Sequence, residues 1–151
     1  MTAEPAPGTV FRPRRARRLG IAFAVGIVVV WVGMSIALSY EPDSGWGPTD
    51  TVSAALLAAL LAAALLRIVS VRALATEEAL VVRNVVFTRR VEWGGIVGVR
   101  FGGDDPWLTL DTDDGETLPV MAVQRADGEF GRREAQRLAR LVEAHSPRRR
   151  D

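Results

Sequence analysis

The chain has 151 residues, a length typical of one domain. Its 19 basic residues are all arginine and nearly balance 18 acidic residues, and it contains no cysteine. This composition excludes disulfides, thiolate metal sites, a cysteine nucleophile and any chemistry that depends on lysine. Two long segments, 19–40 and 51–66, carry no charge. Only about 80 residues remain for a folded body, which excludes a large enzyme core.

The first uncharged segment predicts a membrane-spanning helix. It has 22 residues, from 19 to 40, and a helix that crosses a bilayer needs about 20. A signal peptide is the alternative, because five arginines precede the segment. The apolar stretch is longer than the roughly 7–15 residues of a signal sequence, however. We therefore predict a basic tail at 1–18 and a first span at 19–40.

The second uncharged segment predicts another span. Residues 51–66 are followed by Arg67 and then by the apolar run 68–71. If the Arg67 side chain extends towards the lipid head groups, the usable span reaches residue 71. A core helix of a soluble bundle is the alternative, but such a helix shows a polar face and residues 51–66 have none.

The distribution of charge predicts the orientation of the two spans. Arginines precede the first span, and Arg67 and Arg72 follow the second, whereas the connector 41–50 has three acidic residues and no basic one. Because positively charged flanks stay in the cytoplasm, we predict a two-span protein of the cell membrane. Both termini are expected to be cytoplasmic and the connector extracytoplasmic.

Alternating apolar residues after the second span predict about five strands. The candidate runs are 80–83, 85–91, 96–101, 107–111 and 117–123, with Asn84 as a turn residue and Asp114-Gly115 as a hairpin turn. A closing helix follows, capped by Asp127. Its apolar residues Phe130, Leu138, Leu141 and Val142 fall within one arc of about 120°.

Several short motifs in this region occur in a recognisable order. They are Val82-Arg83-Asn84, Thr88-Arg89-Arg90-Val91, Trp93-x-x-Ile96, Pro106-Trp107 and Leu118-Pro119-Val120. The region resembles the bacterial pleckstrin-homology (PH)-like domain of actinobacterial membrane proteins of the low-molecular-weight protein antigen 6 type. The resemblance implies a membrane-attached PH-like barrel and supplies no catalytic residues. A full PH barrel has seven strands and a C-terminal helix, two strands more than the pattern here predicts.

The predicted fold class is two transmembrane helices followed by a small α+β PH-like domain, an antiparallel sheet or partial barrel with one C-terminal helix. The predicted division is a tail at 1–18, spans at 19–40 and 51–71 joined by a loop at 41–50, the PH-like domain at 74–145 and a basic tail at 146–151.

The residues that could carry chemistry do not form a catalytic or metal site. The acidic cluster 111–116 lacks the spacing of a calcium-binding EF-hand loop, and turn chemistry explains it better. His145 is the only histidine and lies at the end of the last helix. We therefore expect no enzymatic activity, no cofactor and no metal.

The arginines suggest a lipid site. In lipid-binding PH domains, basic residues around the first hairpin bind phosphorylated head groups, so Arg83, Arg89 and Arg90 are candidates by resemblance. The alternative, solvated residues on a sheet face, is favoured because short basic motifs often match by chance. Residues 79–145 hold nine arginines and eleven acidic residues, so we expect no nucleic-acid binding. The basic ends 12–18 and 148–150 are better candidates for contact with membrane lipids.

The function predicted first is a protein-interaction module, held at the membrane by the two spans. Lipid head-group sensing through the three arginines is the alternative, and a small subunit beside a larger membrane complex is a third possibility. The partner is a protein or a second copy of the chain. Alanines at spacings of three and four along the second span would allow close helix packing.

Overall fold

The computed structural model describes residues 8–41 and 43–145, so the predicted tail at 146–151 lies outside the described residues. They form two compact units. One unit contains the helices between Ala16 and Val69, and the other contains the residues up to Arg15 together with those from Ser70 onwards. The elements are β1 (Val10–Phe11), α1 (Arg15–Ser39), α2 (Pro48–Val69), β2 (Arg72–Ala75), β3 (Ala79–Arg83), β4 (Thr88–Glu92), β5 (Ile96–Arg100), β6 (Trp107–Thr112), β7 (Thr117–Gln124) and α3 (Glu129–His145), with short 3₁₀ turns at Trp93–Gly95 and Arg125–Asp127.

Helices α1 and α2 lie where the two spans were predicted, and both are long and apolar enough to cross a membrane. α1 begins four residues before the predicted span, since the intervening arginines and alanine are good helix formers. α2 begins at Pro48, a residue suited to the first helical position. The Asp50 carboxylate accepts the backbone N–H of Gly47 at 2.9 Å and so satisfies one free donor at that end.

Within residues 8–41 and 43–145, seven strands form two antiparallel sheets, in the orders β1-β2-β3-β4 and β5-β6-β7, which do not close into a barrel. The predicted PH-like body with one C-terminal helix is confirmed, but its described residues form seven strands instead of about five. The two strands that the pattern did not predict are β1 and β2. β2 is half alanine, and β1 has only two residues, which is too short to show alternation.

Strand β1 precedes the helix pair in sequence, yet it belongs to the domain that follows the pair. Val10 pairs with Leu74 and Phe11 with Ala73, antiparallel to β2. The Phe11 side chain is fully buried in the domain core. Residues that the sequence placed in a tail therefore complete the four-stranded sheet.

Helix α3 closes the domain as its apolar arc predicts. Leu138, Leu141 and Val142 are buried in the same core as Phe11, and α3 packs against β7. Gly131 allows this approach, because a Cβ atom there would lie 2.1 Å from the carbonyl oxygen of Gln124. His145, at the end of α3, stacks on Trp93 with the ring centroids 4.8 Å apart.

Candidate functional site

The three candidate lipid-binding arginines lie on the β3–β4 hairpin but do not form one cluster. Arg83 ends β3, opposite Thr88, while Arg89 and Arg90 lie further along β4. Because side chains alternate between the faces of a strand, Arg89 shares the inner face with the buried Val91, whereas Arg83 and Arg90 share the outer face. The hairpin thus divides the three arginines between its two faces.

Arg89 is held by two carboxylates of the β6–β7 turn. Its guanidinium bonds Asp114 at 3.0 Å and also bonds Glu116. These bonds raise the pKa of Arg89, mainly through Glu116. The pKa of Asp114 is lowered, chiefly by the hydrogen bond from the Thr112 hydroxyl and then by the backbone N–H of Glu116. Arg89 therefore ties the two hairpins together at the surface, and carboxylates of the chain itself balance its charge.

Arg90 is balanced in a similar way. Its guanidinium lies 2.6 Å from the carboxylate of Glu78, in the β2–β3 turn. Both side chains are more than half exposed, so the pair contributes little to stability. It nevertheless supplies Arg90 with a counter-ion, and this turn is at the opposite end of the sheet from Arg83.

Arg83 has different surroundings, because its neighbour on the adjacent strand β2 is another arginine. Arg72 pairs with Arg83 in the register of β2 and β3. Arg12 directly follows β1, at the position that the β1–β2 register places opposite Arg72. We call Arg12, Arg72 and Arg83 the arginine row. Within residues 8–41 and 43–145, no carboxylate oxygen lies within 4.0 Å of a guanidinium nitrogen of the row.

The β3–β4 turn lies at the same end of the sheet as the arginine row. Its first residue, Asn84, is fully buried and joins the two sheets. The Asn84 amide donates to the carbonyl of Pro119 at 2.7 Å and accepts the backbone N–H of Met121 at 3.3 Å. Two later residues of the turn are exposed: Val86 is 85% exposed and Phe87 is 43% exposed. The turn is therefore a firmly held support for an apolar tip.

Three carboxylates of the β6–β7 hairpin take part in ion pairs. Asp111 bonds Arg100 at 2.6 Å, and Asp114 and Glu116 bond Arg89. In the part of the chain that the structure describes, no group of three or more histidine, cysteine, aspartate or glutamate side chains is arranged to hold a metal ion.

Comparison with known proteins identifies the domain. Residues 70–142 match the family described as Bacterial PH domain. Uncharacterised proteins of Mycobacterium tuberculosis and Mycobacterium bovis are each 34% identical to the chain over 130 residues, which is 84% of this chain and 84% of theirs. The chain belongs to the bacterial PH domain family. No solved structure matches it significantly.

The relationship extends beyond the PH domain itself. The stretch shared with the mycobacterial proteins is longer than everything from residue 70 to the end of the chain, so it reaches into the segment of the two apolar helices. The family match, by contrast, begins at residue 70 and leaves out β1. Strand β1 is thus a part of this PH domain that only the structure reveals.

A clamp around Asp127 fixes the segment from β1 to Arg15 on the PH domain. The Asp127 carboxylate does not act as the predicted cap of α3; it accepts the backbone N–H groups of Arg14 at 2.8 Å and Arg15 at 2.7 Å. The Arg14 guanidinium lies 3.7 Å from the centre of the Phe130 ring, a cation–π contact. The guanidinium of Arg137 lies 5.8 Å from the centre of the Phe11 ring.

The arginine row and the clamp were not predicted from the sequence, and the reason is the same. Arg12 and Arg72 lie on opposite sides of the helix pair in the chain, and only the β1–β2 register brings their positions together. The sequence showed only that basic residues lie close to each span. That signal indicated orientation and contact with the membrane, without indicating a shared site.

Proposed function

We propose that this protein is anchored in the cell membrane by α1 and α2 and presents its PH domain as a protein-interaction module at the membrane surface. The observation that carries the proposal is an apolar stripe on the outer face of the four-stranded sheet. Val10, Leu74 and Val81 are consecutive partners in the register of β1, β2 and β3. All three are partly or well exposed, and α3 packs elsewhere, on β7 and the short helical turns.

The anchoring of the domain supports an interaction role over a targeting role. One strand precedes the helix pair and the next follows it, so the domain is tethered at both ends of the pair. A domain held in this way needs no ligand to reach the membrane. Its surface is free to recognise a partner.

The shared sheet also supports the proposed topology. Because β1 and β2 pair directly, the chain on both sides of the helix pair has to lie on one side of the membrane. The excess of arginine in these flanks favours the cytoplasmic side. Reporter fusions at Gly8 and His145 should both report cytoplasm, and one at Gly45 should report the exterior. Opposite signals from the first two would contradict the topology.

Photocrosslinking of the full chain in native membranes tests the interaction surface. A benzophenone side chain at Val81 should give one discrete adduct, and Leu74→Asp on the neighbouring strand should abolish it. The matched control is Val97→Asp, since Val97 is 65% exposed on the other sheet; this change should leave the adduct intact. An adduct of twice the chain's mass would identify a second copy as the partner. An adduct that survives Leu74→Asp, or no adduct at all, would contradict the proposal.

A non-catalytic role is part of the proposal. It is supported by membership of the PH family and by the use of Asp111, Asp114 and Glu116 in ion pairs. The alternative, head-group binding by Arg83, Arg89 and Arg90, is weakened because the last two have carboxylate partners. Arg83 remains a candidate for binding lipid head groups.

A further inference from the structure

We propose that the four-stranded sheet binds an amphipathic helix of another protein, and that this helix carries acidic residues along the side that faces the arginine row. The inference rests on the interaction role proposed above and specifies the chemistry of the partner. It joins the apolar stripe of Val10, Leu74 and Val81 and the arginine row into one docking surface on the outer face of the sheet.

The apolar stripe and the arginine row lie side by side. Residues two apart on a strand point to the same face and are about 6.6–6.8 Å apart. Each residue of the stripe has an arginine of the row two positions away in the chain, and the pairs are Val10 with Arg12, Leu74 with Arg72 and Val81 with Arg83. All six residues are exposed or half-buried, so one partner can contact the stripe and the row together.

The spacing along the stripe and the row fits a helix laid across the strands. Neighbouring strands are about 4.8 Å apart, and helix residues three or four positions apart are about 4.5–6 Å apart along the axis. A helix can therefore place one apolar side chain over each strand. An extended peptide does not match this spacing, because its side chains on one face are about 6.8 Å apart.

The charge of the row predicts acidic residues on the partner. Arg72 and Arg83 are opposite each other on adjacent strands, where like charges repel. Three other arginines on strands, Arg89, Arg90 and Arg100, have carboxylate partners, whereas the part of the chain that the structure describes supplies none to the row. Carboxylates of the partner would supply the missing charge, and a guanidinium group binds a carboxylate through two parallel hydrogen bonds.

The other side of the stripe restricts the acidic residues of the partner to one flank. Glu92 is exposed at the end of β4, and Glu77 and Glu78 are exposed in the turn between β2 and β3. These carboxylates lie beyond the stripe, at the end of the sheet away from the row. They would repel acidic residues on the second flank of the helix, so the charge of the surface also sets the direction in which the helix lies.

The helices that the structure describes in this chain do not have the required chemistry. α1 and α2 are apolar along most of their length. α3 is amphipathic, but it carries four arginines against three glutamates, so its polar side would meet the arginine row with like charge. The partner is therefore a different protein and not a second copy of the chain.

Crosslinking from two positions on the full chain in native membranes tests the inference. A benzophenone side chain at Val81 reports on the stripe, and one at Thr88 reports on the row, because Thr88 is exposed and lies opposite Arg83. Both positions should capture the same protein. Tandem mass spectrometry should place both crosslinks in one segment, with apolar residues three or four apart and aspartate or glutamate along one side.

Reversal of charge tests the row itself. Arg72→Glu with Arg83→Glu should lower the yield of the Val81 adduct at least about tenfold, because like charges across an interface are strongly unfavourable. Arg72→Lys with Arg83→Lys keeps the charge and should keep most of the yield. The matched control is Arg133→Glu with Arg140→Glu, which reverses two exposed arginines of α3 and should leave the yield unchanged.

A complementary change in the partner separates loss of charge from loss of fold. Replacing the acidic residues of the crosslinked segment by arginine should restore the adduct with the Arg72→Glu, Arg83→Glu variant, which an unfolded domain could not do. An adduct that is not restored would contradict the proposed pairing of charges.

The remaining outcomes distinguish this inference from the proposed function. Full yield after charge reversal, a crosslinked segment without acidic residues, or an adduct of twice the chain's mass would overturn the acidic helix and leave the interaction surface intact. An adduct of Thr88 with phospholipid alone would assign the row to the bilayer and would also overturn it. No adduct from Val81, or one that survives Leu74→Asp, would instead contradict the proposed function.

Discussion

The two sheets of the domain are assembled in different ways. Strands β5, β6 and β7 pair with their immediate neighbours in the chain, all within residues 96–124. The four-stranded sheet takes β1 from before the helix pair and its other strands from after it. The sheet of β5, β6 and β7 depends only on local hairpins, whereas the four-stranded sheet has the whole helix pair as its β1–β2 connection. We therefore expect segment 8–15 to contribute more to the stability of the domain than the length of its two-residue strand suggests.

Removing the Phe11 side chain should have the largest effect. Phe11→Ala leaves a cavity in the core, and such substitutions cost about 3–5 kcal/mol of unfolding free energy. Urea unfolding of the full chain in detergent, followed by tryptophan fluorescence, to which Trp93 and Trp107 of the domain contribute, measures the loss. Val10→Ala is the matched control, since Val10 is on the same strand and 41% exposed; it should cost only about 0.5 kcal/mol. Equal costs would show that β1 does not complete the core.

The Asn84 link between the two sheets should be next in size. Asn84→Ala removes the hydrogen bonds to Pro119 and Met121, and buried polar groups left without a partner cost about 1–3 kcal/mol each. We expect a loss of about 2–3 kcal/mol in the same unfolding experiment. Val86→Ala, in the same turn but exposed, is the control and should change stability little. If the two variants unfold alike, Asn84 does not join the sheets.

The clamp at Asp127 should have a smaller effect, concentrated on the segment before α1. Asp127→Ala leaves the N–H groups of Arg14 and Arg15 without their acceptor, which by analogy with a lost helix cap costs about 1–2 kcal/mol. Trypsin cleaves after arginine, so cutting after Arg14 and Arg15 should become faster. Asp105→Ala, in an exposed loop, should leave the cleavage rate unchanged. An unchanged rate in Asp127→Ala would show that the clamp does not protect this segment.

What the sequence predicted correctly has local causes. The two apolar helices follow from uncharged length, and the arc of Leu138, Leu141 and Val142 follows from helical periodicity. The turns at Asn84 and Gly115 lie between strands, as expected. Each of these features is encoded within about twenty consecutive residues, which is the range over which periodicity and turn residues carry information.

What the sequence did not predict depends on distant partners. Phe11 is one apolar residue in a basic segment, and only its pairing with Ala73 makes it part of the core. Asp127 precedes a helix and therefore resembled an N-cap, but its carboxylate binds backbone groups more than 100 residues earlier in the chain. The ion pairs of Arg89 were not predicted for the same reason, since the carboxylates that balance it belong to a different hairpin.

The ion pair between the two hairpins should give the smallest effect, and its dependence on pH identifies it. The pKa of Asp114 is lowered in the folded protein, first by the Thr112 hydroxyl, then by the Glu116 N–H and by Arg89. A carboxyl group whose folded pKa lies below its unfolded value stabilises the protein at pH values above the unfolded pKa. This stabilisation is lost as the pH falls through the lower, folded pKa.

Asp114→Asn should therefore unfold at a lower urea concentration than the parent chain at pH 7, and the difference should disappear in strong acid. The effect is small because Asp114 and Arg89 are exposed and water screens their attraction. Asp105→Asn removes a carboxylate from an exposed loop and should show no such convergence. A difference that stays constant from pH 7 into acid would mean that Asp114 acts through the shape of its turn, and that Arg89 does not join the two hairpins by charge.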